Sequence, residues 1–151
     1  MRFTSIKEFL TYIKNCHEAL AELYERLSTK VTDEKVKHLL EYMKNKEHIS
    51  YSKIQHYVEK APESLLETWL DSFLDQNFPQ RCKALKLSSE ITMVDVVRLA
   101  MELDNQLIEA MKKTAINCPI IEAKKALAYL REQEKETLQH IVMTSHEFEY
   151  M

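Results

Sequence analysis

One helical pattern occurs twice in this chain, and both copies carry an acid where the pattern asks for an apolar residue. In the first copy, apolar residues recur at three- and four-residue steps, as on one face of a helix, and the step after Met43 is Glu47. In the second copy, the step after Leu130 is Glu134. Acidic side chains are almost never fully buried unless another group pairs with them. The two glutamates therefore indicate a polar site inside an apolar core.

The shift of 87 residues that separates these glutamates also relates an earlier helix to a later one. It carries His17 onto Asp104, and each of these lies on an apolar stripe of its own helix. The apolar pairs that the shift matches include Ile13 with Ala100, Leu20 with Leu107, Tyr24 with Met111, Val36 with Ala123, Leu40 with Leu127 and Ile54 with Ile141. A helical hairpin thus occurs twice, and each of its four helices is predicted to place one ionisable side chain inward.

The composition favours an all-α domain. The chain has 151 residues, 30% of them charged, with three prolines and no glycine. A chain without glycine cannot form phosphate-binding glycine loops, and it lacks the usual residue of left-handed helix caps. This length is enough to bury a core, so we expect a single domain over residues 1–151.

Charge and hydropathy disfavour several classes of function. The net charge is −3 with acids and bases interspersed, which predicts no nucleic-acid partner. No stretch approaches the roughly 18 consecutive apolar residues of a membrane span, and the N-terminus is unlike a signal peptide. Cys16, Cys82 and Cys118 form no CxxC motif. They are predicted to be reduced thiols of a cytoplasmic protein.

Capping residues give the helix boundaries. Ser5 with Glu8 predicts the start of the first helix, and Thr92 with Asp95 that of the third. Thr32, followed by acids, is expected to begin the second helix. The two hairpins then cover approximately residues 5–59 and 92–146, and short connections make the helices within each hairpin antiparallel neighbours.

The segment 60–91 between the hairpins is predicted to be a long crossover. Its apolar residues at helical steps predict a short helix over 65–74. We expect this helix to close one flank or end of the core. The alternative is a dimer contact through Trp69 and Phe73.

The stretch ITMVDVVRLAMELD, the repeated hairpin, the single crossover and the inward acids together resemble rubrerythrin-like proteins of the ferritin-like superfamily. This resemblance covers nearly the whole chain and implies an antiparallel four-helix bundle. It also implies a di-iron or di-manganese site, which takes one Glu from each of two helices and a Glu-x-x-His from each of the other two.

The sequence departs from this motif at four positions. His17 and Asp104 stand where the family has glutamates, and Ser50 and Thr137 stand where it has histidines. A neutral hydroxyl is a much poorer iron ligand than imidazole. The nearby His48 and His140 are off the inner stripes and are predicted to be on the surface.

Two interpretations of the inner residues follow. In the first, the site is a metal-free polar core in which a protonated His17 lies among the acids, with Ser50 and Thr137 donating to the carboxylates. In the second, one divalent ion, such as iron, manganese or zinc, is bound by His17, Glu47, Asp104 and Glu134. Three converging carboxylates repel, so at least one should be protonated unless a cation is near. A third possibility is a shifted register, with Glu18 or Glu102 facing inward.

We therefore predict a ferritin-like bundle with a degenerate di-metal site, non-catalytic or weakly metal-binding, that acts through a partner or as a homodimer. The alternative function is that of a metal-dependent oxidoreductase or a peroxide- or iron-handling protein. No catalytic residue is assigned. Iron storage in a cage is disfavoured, because neither a ferroxidase site nor a shell-forming surface is evident.

Overall fold

Four long helices form the fold, and they lie where the two predicted hairpins place them. The computed structural model describes residues 2–72 and 75–150, without the side chains of residues 2 and 3. In chain order the elements are β1 (Arg2–Ser5), α1 (Ile6–Ser28), α2 (Glu34–Lys60), α3 (Glu63–Leu66), β2 (Trp69–Ser72), α4 (Phe78–Ala84), α5 (Met93–Ile116) and α6 (Ile121–Glu149). The molecule is an all-α bundle with one small pair of strands.

The core lies between the inner faces of the long helices. Within each hairpin, α1 packs along α2 and α5 packs along α6, while α2 also contacts α5 and α6. The predicted stripes supply the buried residues: Leu20 and Tyr24 from α1, Met43 from α2, Leu107 from α5 and Leu130 from α6. None of the helices in the described part of the chain combines the length and apolar character that a membrane crossing requires.

The caps explain where the helices begin. Ser5 Oγ accepts from the backbone N of Glu8 at 3.1 Å. Thr92 and Asp95 form a reciprocal capping box, with bonds of 3.0 and 3.2 Å. The second helix begins slightly later than predicted, because Asp33 rather than Thr32 is its cap. The Asp33 carboxylate accepts from two backbone N–H groups of the first turn.

The prediction of a helix over 65–74 is wrong. Helix α3 ends at Leu66, and β2 pairs antiparallel with β1, with Trp69 opposite Ser5. Burial alternates along β2, from Trp69 at 53% exposed to Leu70 at 2%. The apolar spacing fits a helix, but pairing with the N-terminal strand satisfies the backbone groups and buries alternate side chains. Of the remaining predicted helix, residues 73 and 74 lie outside the described residues.

A further short helix, α4, packs against α1 and was not predicted. It buries Phe78 and Cys82. Arg26 of α1 donates to the carbonyl oxygens of Cys82 and Leu85, at 3.1 and 2.9 Å. The guanidinium thereby holds the C-terminal end of α4, where carbonyl groups have no partner within the helix. This contact fixes part of the crossover to the first hairpin.

The backbone turns without left-handed residues. No described residue has a positive φ angle. The C-cap of α1 is Thr29, with φ of −79° and ψ of −15°, and the C-cap of α5 is Asn117, with φ of −91° and ψ of 4°. The connections therefore use right-handed, bridging or extended conformations, as a chain without glycine requires.

Candidate functional site

The four residues predicted to face inward are all buried. They come from the middle of the four long helices, so the bundle brings a polar layer together from residues far apart in sequence. Their exposed fractions are 1% for His17, 1% for Glu47, 0% for Asp104 and 4% for Glu134.

The helical register is the one the apolar stripes predict. Glu18 and Glu102, which would face inward in a shifted register, are both exposed. The predicted surface positions of His48 and His140 are also confirmed, since both side chains are exposed.

His17 lies between the two glutamates. Its Nδ1 is 2.6 Å from Glu47 Oε2. Its Nε2 is 2.9 Å from Glu134 Oε1, at ion-pair distance but outside hydrogen-bond geometry. A ring with a carboxylate at each nitrogen fits the imidazolium form, in which both nitrogens carry a proton. Burial acts to lower the pKa of His17, but the charges of Glu134 and Glu47 outweigh it and raise that pKa well above its usual value. The position and charges of its two neighbours therefore favour the cationic form of His17.

Asp104 is buried beside this group without a matching donor. Among the described residues, neither of its carboxylate oxygens has a hydrogen-bond partner. Burial raises the pKa of Asp104 well above its usual value, and the charges of Glu47 and Glu134 raise it further. Burial also raises the pKa of Glu47, against the lowering effect of His17. Proton uptake by Asp104 is the expected response to three acids that share one cation.

Two further oxygens in the layer are left over. Within the described residues, Glu47 Oε1 and Glu134 Oε2 have no hydrogen-bond partner. The buried hydroxyl of Tyr24 also has no hydrogen-bond partner among those residues. Burial raises the pKa of Tyr24 far above its usual range, and the charge of Asp104 adds to this. The layer thus holds more acceptors than donors.

The prediction that Ser50 and Thr137 donate to the carboxylates is wrong. Thr137 Oγ1 donates instead to the carbonyl oxygen of Gln133, at 3.0 Å. A threonine inside a helix commonly bonds the carbonyl four residues earlier, and this local bond competes with more distant acceptors. Ser50 likewise makes no bond to either glutamate among the residues described.

This arrangement does not fit a pair of metal ions. A histidine that binds a metal must present an unprotonated nitrogen, whereas both nitrogens of His17 face carboxylates. Glu47 and Glu134 each direct one oxygen at the ring. In residues 2–72 and 75–150, no group of three or more His, Cys, Asp or Glu side chains is arranged to hold a metal ion. Metal binding by His17, Glu47, Asp104 and Glu134 stays a prediction.

A cleft of about 650 Å³ lies between α2 and α6 and reaches the polar layer. His17 and Glu134 line its inner end, and Met111 of α5 also contributes. The sequence patterns did not predict this cleft. The signal for it was Ile49 and Tyr129, two large apolar residues off the inner stripes, which are 48% and 59% exposed.

Comparison with known proteins identifies the fold. No protein-family model matches the sequence, and no curated protein matches it significantly. A solved structure from Thermotoga maritima, provisionally assigned as a ferritin-like diiron-carboxylate protein, superimposes with a TM-score of 0.69. The match covers 97% of this chain and 98% of that one, at 18% sequence identity. The repeated helical hairpins, the single crossover and this superposition together show that the chain has a ferritin-like fold.

Proposed function

We propose that this protein is a ferritin-like bundle whose inner polar site works without a metal pair, and that it is a non-catalytic or weakly metal-binding protein. The observation that supports the proposal is the position of His17, with Glu47 and Glu134 at its two ring nitrogens. An imidazolium there supplies one positive charge between the carboxylates, with Nδ1 donating to Glu47 and Nε2 at ion-pair distance from Glu134. It offsets one of their two negative charges, whereas a divalent ion would offset both.

Metal binding is the alternative, and the unmatched oxygens support it. Glu47, Asp104 and Glu134 together hold four buried carboxylate oxygens that find no hydrogen-bond partner in the described residues. Hard divalent ions such as manganese or ferrous iron prefer oxygen ligands. If His17 lost one proton and turned, its imidazole and these acids could bind one iron, manganese or zinc ion. That site would suit an oxidoreductase or a peroxide- or iron-handling protein.

A metal determination separates the two functions. Protein purified without chelator from media supplied with iron, manganese or zinc is compared with Glu47→Ala and Glu134→Ala. We expect no metal near one ion per chain in any sample. The matched control is Glu136→Ala, an exposed acid on the same helix as Glu134. Stoichiometric metal in the wild type and the control, lost from both site variants, would establish the alternative.

We further propose that the protein acts by association, as a homodimer, in the cytoplasm. Trp69 is a large apolar side chain with 53% of its surface exposed on the small sheet, which supports a contact there. The buried free cysteines Cys16, Cys82 and Cys118 suit a reducing compartment. Light scattering coupled to size exclusion tests the dimer, and a monomer at all concentrations would contradict it.

A further inference from the structure

The cleft between α2 and α6 has the properties of a small-molecule site. Its volume of about 650 Å³ is within the usual range for ligand cavities. Apolar side chains from three helices form its walls: Ile49, Ile54 and Tyr57 from α2, Met111 from α5, and Tyr129 and Leu130 from α6. Such walls favour an apolar body, because they release water when they are covered.

The inner end of the cleft is polar, formed by His17 and Glu134. Glu134 is the only acidic residue among the described residues that line the cleft. It is 4% exposed, and its Oε2 finds no hydrogen-bond partner in the described part of the chain. A buried carboxylate oxygen without a donor is costly, so a ligand that brings an N–H or O–H group there gains a strong bond. An anionic carboxylate brings only acceptors, so it cannot bond this oxygen.

Basic residues line the mouth of the cleft, and a hydrogen bond crosses it. His48, Lys53, His56 and Lys60 of α2 line it, and Lys53 Nζ donates to Gln133 Oε1 of α6 at 3.2 Å. This bond joins the two helices across the opening. The exposed ammonium groups of Lys53 and Lys60 are well solvated, so they leave selection of the ligand to the walls and to the inner end.

We propose that this cleft binds a small molecule with an apolar body and a terminal hydrogen-bond donor, either an amine or a hydroxyl, which enters head first and donates to Glu134. The inference rests on the proposed metal-free site, because a metal ion bound by Glu134 would take the same oxygen. Glu134 is then a ligand-binding residue, and Ile49 and Tyr129 cover the apolar part of the ligand.

Three probes of equal chain length test the chemistry of the head group. Octylamine, 1-octanol and octanoate are titrated into the full-length protein by isothermal calorimetry and by NMR chemical-shift mapping. We expect the amine and the alcohol to bind, with shifts in residues of the cleft, and octanoate to bind at least about tenfold more weakly. Tight binding of the amine alone identifies an ammonium ligand, whereas equal binding of the alcohol identifies a neutral donor, and both support the proposal.

Variants locate the site. Ile49→Arg places a charge at the cleft, and its matched control is Ile121→Arg, which changes an isoleucine at 66% exposure on α6 away from the cleft. We expect Ile49→Arg to weaken octylamine binding about tenfold or more and the control to leave that binding unchanged. Glu134→Gln should weaken the binding of octylamine more than that of 1-octanol. Because both isoleucines are exposed, the pair is informative even if the Glu134 variant fails to fold.

The outcomes separate this inference from the proposed function. Metal content is measured on the same samples. Metal-free protein that binds none of the probes at millimolar concentration, or that binds octanoate as well as octylamine, overturns the inference alone. Equal binding by both isoleucine variants also overturns it. Protein with stoichiometric metal at Glu134 overturns the proposed function, and the inference with it.

Discussion

At the scale of single residues, the polar layer holds more acidic groups than hydrogen-bond donors. His17 is one cation facing Glu47 and Glu134, and Asp104 is a third acid for which no donor is found among the described residues. Moving a charge from water into the protein interior costs several kcal/mol unless good pairing offsets this cost. The layer therefore reduces the stability of the bundle at neutral pH, and a site that costs stability is commonly kept for function.

Asp104 provides the first prediction. The change Asp104→Asn keeps the shape of the side chain, removes the need to bind a proton and adds two N–H donors beside unmatched oxygens. We expect the free energy of unfolding at neutral pH to rise by at least about 1 kcal/mol, measured by urea denaturation. The control Asp95→Asn removes an exposed capping acid and should lower stability slightly. A clear loss of stability in Asp104→Asn would instead indicate that the carboxylate is ionised and paired, as with a bound cation.

The raised pKa values of the layer fix the sign of its pH dependence. His17, with a raised pKa, contributes stability that is complete below its unfolded value of 6.5 and is lost as pH rises through the folded value. Glu47 and Asp104 also hold protons more tightly when folded, from unfolded values of 4.5 and 3.8. We expect the free energy of unfolding to fall between about pH 5 and about pH 8, and to fall less in Asp104→Asn. Stability that rises over this range would contradict the assigned protonation.

The sequence predicts the position of these residues better than their bonds. The stripes place His17, Glu47, Asp104 and Glu134 inside, because helical periodicity is set locally by the chain. The pairing of each His17 nitrogen with a carboxylate depends on the packing distance between helices. Helical periodicity carries no information about that distance. For the same reason the hydroxyl of Thr137 was expected to reach a carboxylate, whereas it bonds its own helix.

At the scale of elements, the long helices could be predicted and the short crossover pieces could not. Long stripes and two caps fix α1, α2, α5 and α6 to within a few residues. The strands β1 and β2 have four residues each and join chain segments that are far apart, so no local pattern indicates their pairing. In such a short apolar run, helical and extended patterns are hard to separate. The fold of the crossover is decided by what it packs against.

Arg26 provides a prediction about that packing. It is the side chain that joins α1 to the end of α4 through two carbonyl groups. We expect Arg26→Ala to lower the free energy of unfolding by about 1–3 kcal/mol, because buried carbonyls lose charged donors. Arg26→Lys keeps the charge but not the forked geometry, and should restore only part of the loss. Chemical denaturation of both variants measures this, and an unchanged midpoint in Arg26→Ala would show that α4 is held by its apolar side chains alone.

At the scale of the whole molecule, the bundle keeps its reactive groups inside. Cys16, Cys82 and Cys118 are free and buried, and they lie in α1, in α4 and in the connection between α5 and α6. Burial raises the pKa of Cys82 to about 11, and it raises the pKa of Cys16 still further above its ordinary value. A thiol that is both buried and protonated is a poor nucleophile. Their reaction with a thiol reagent therefore reports how often the bundle opens.

We expect native protein at neutral pH to react with iodoacetamide far more slowly than unfolded protein, in which all three thiols are modified. Mass spectrometry counts the modified cysteines over time. The control Ser52→Cys adds an exposed thiol on α2 and should react at once in the native state. Rapid native modification of a single cysteine would reveal local opening of the element that carries it.

The described backbone needs no left-handed residue, and the absence of glycine that this permits has a consequence for the denatured chain. Every residue carries a β-carbon, so the disordered polypeptide explores fewer conformations than a chain with the usual share of glycine. Less entropy is lost on folding, which offsets part of the cost of enclosing three acids around one imidazolium. Connections that need no glycine thereby help to sustain a chemically unfavourable interior.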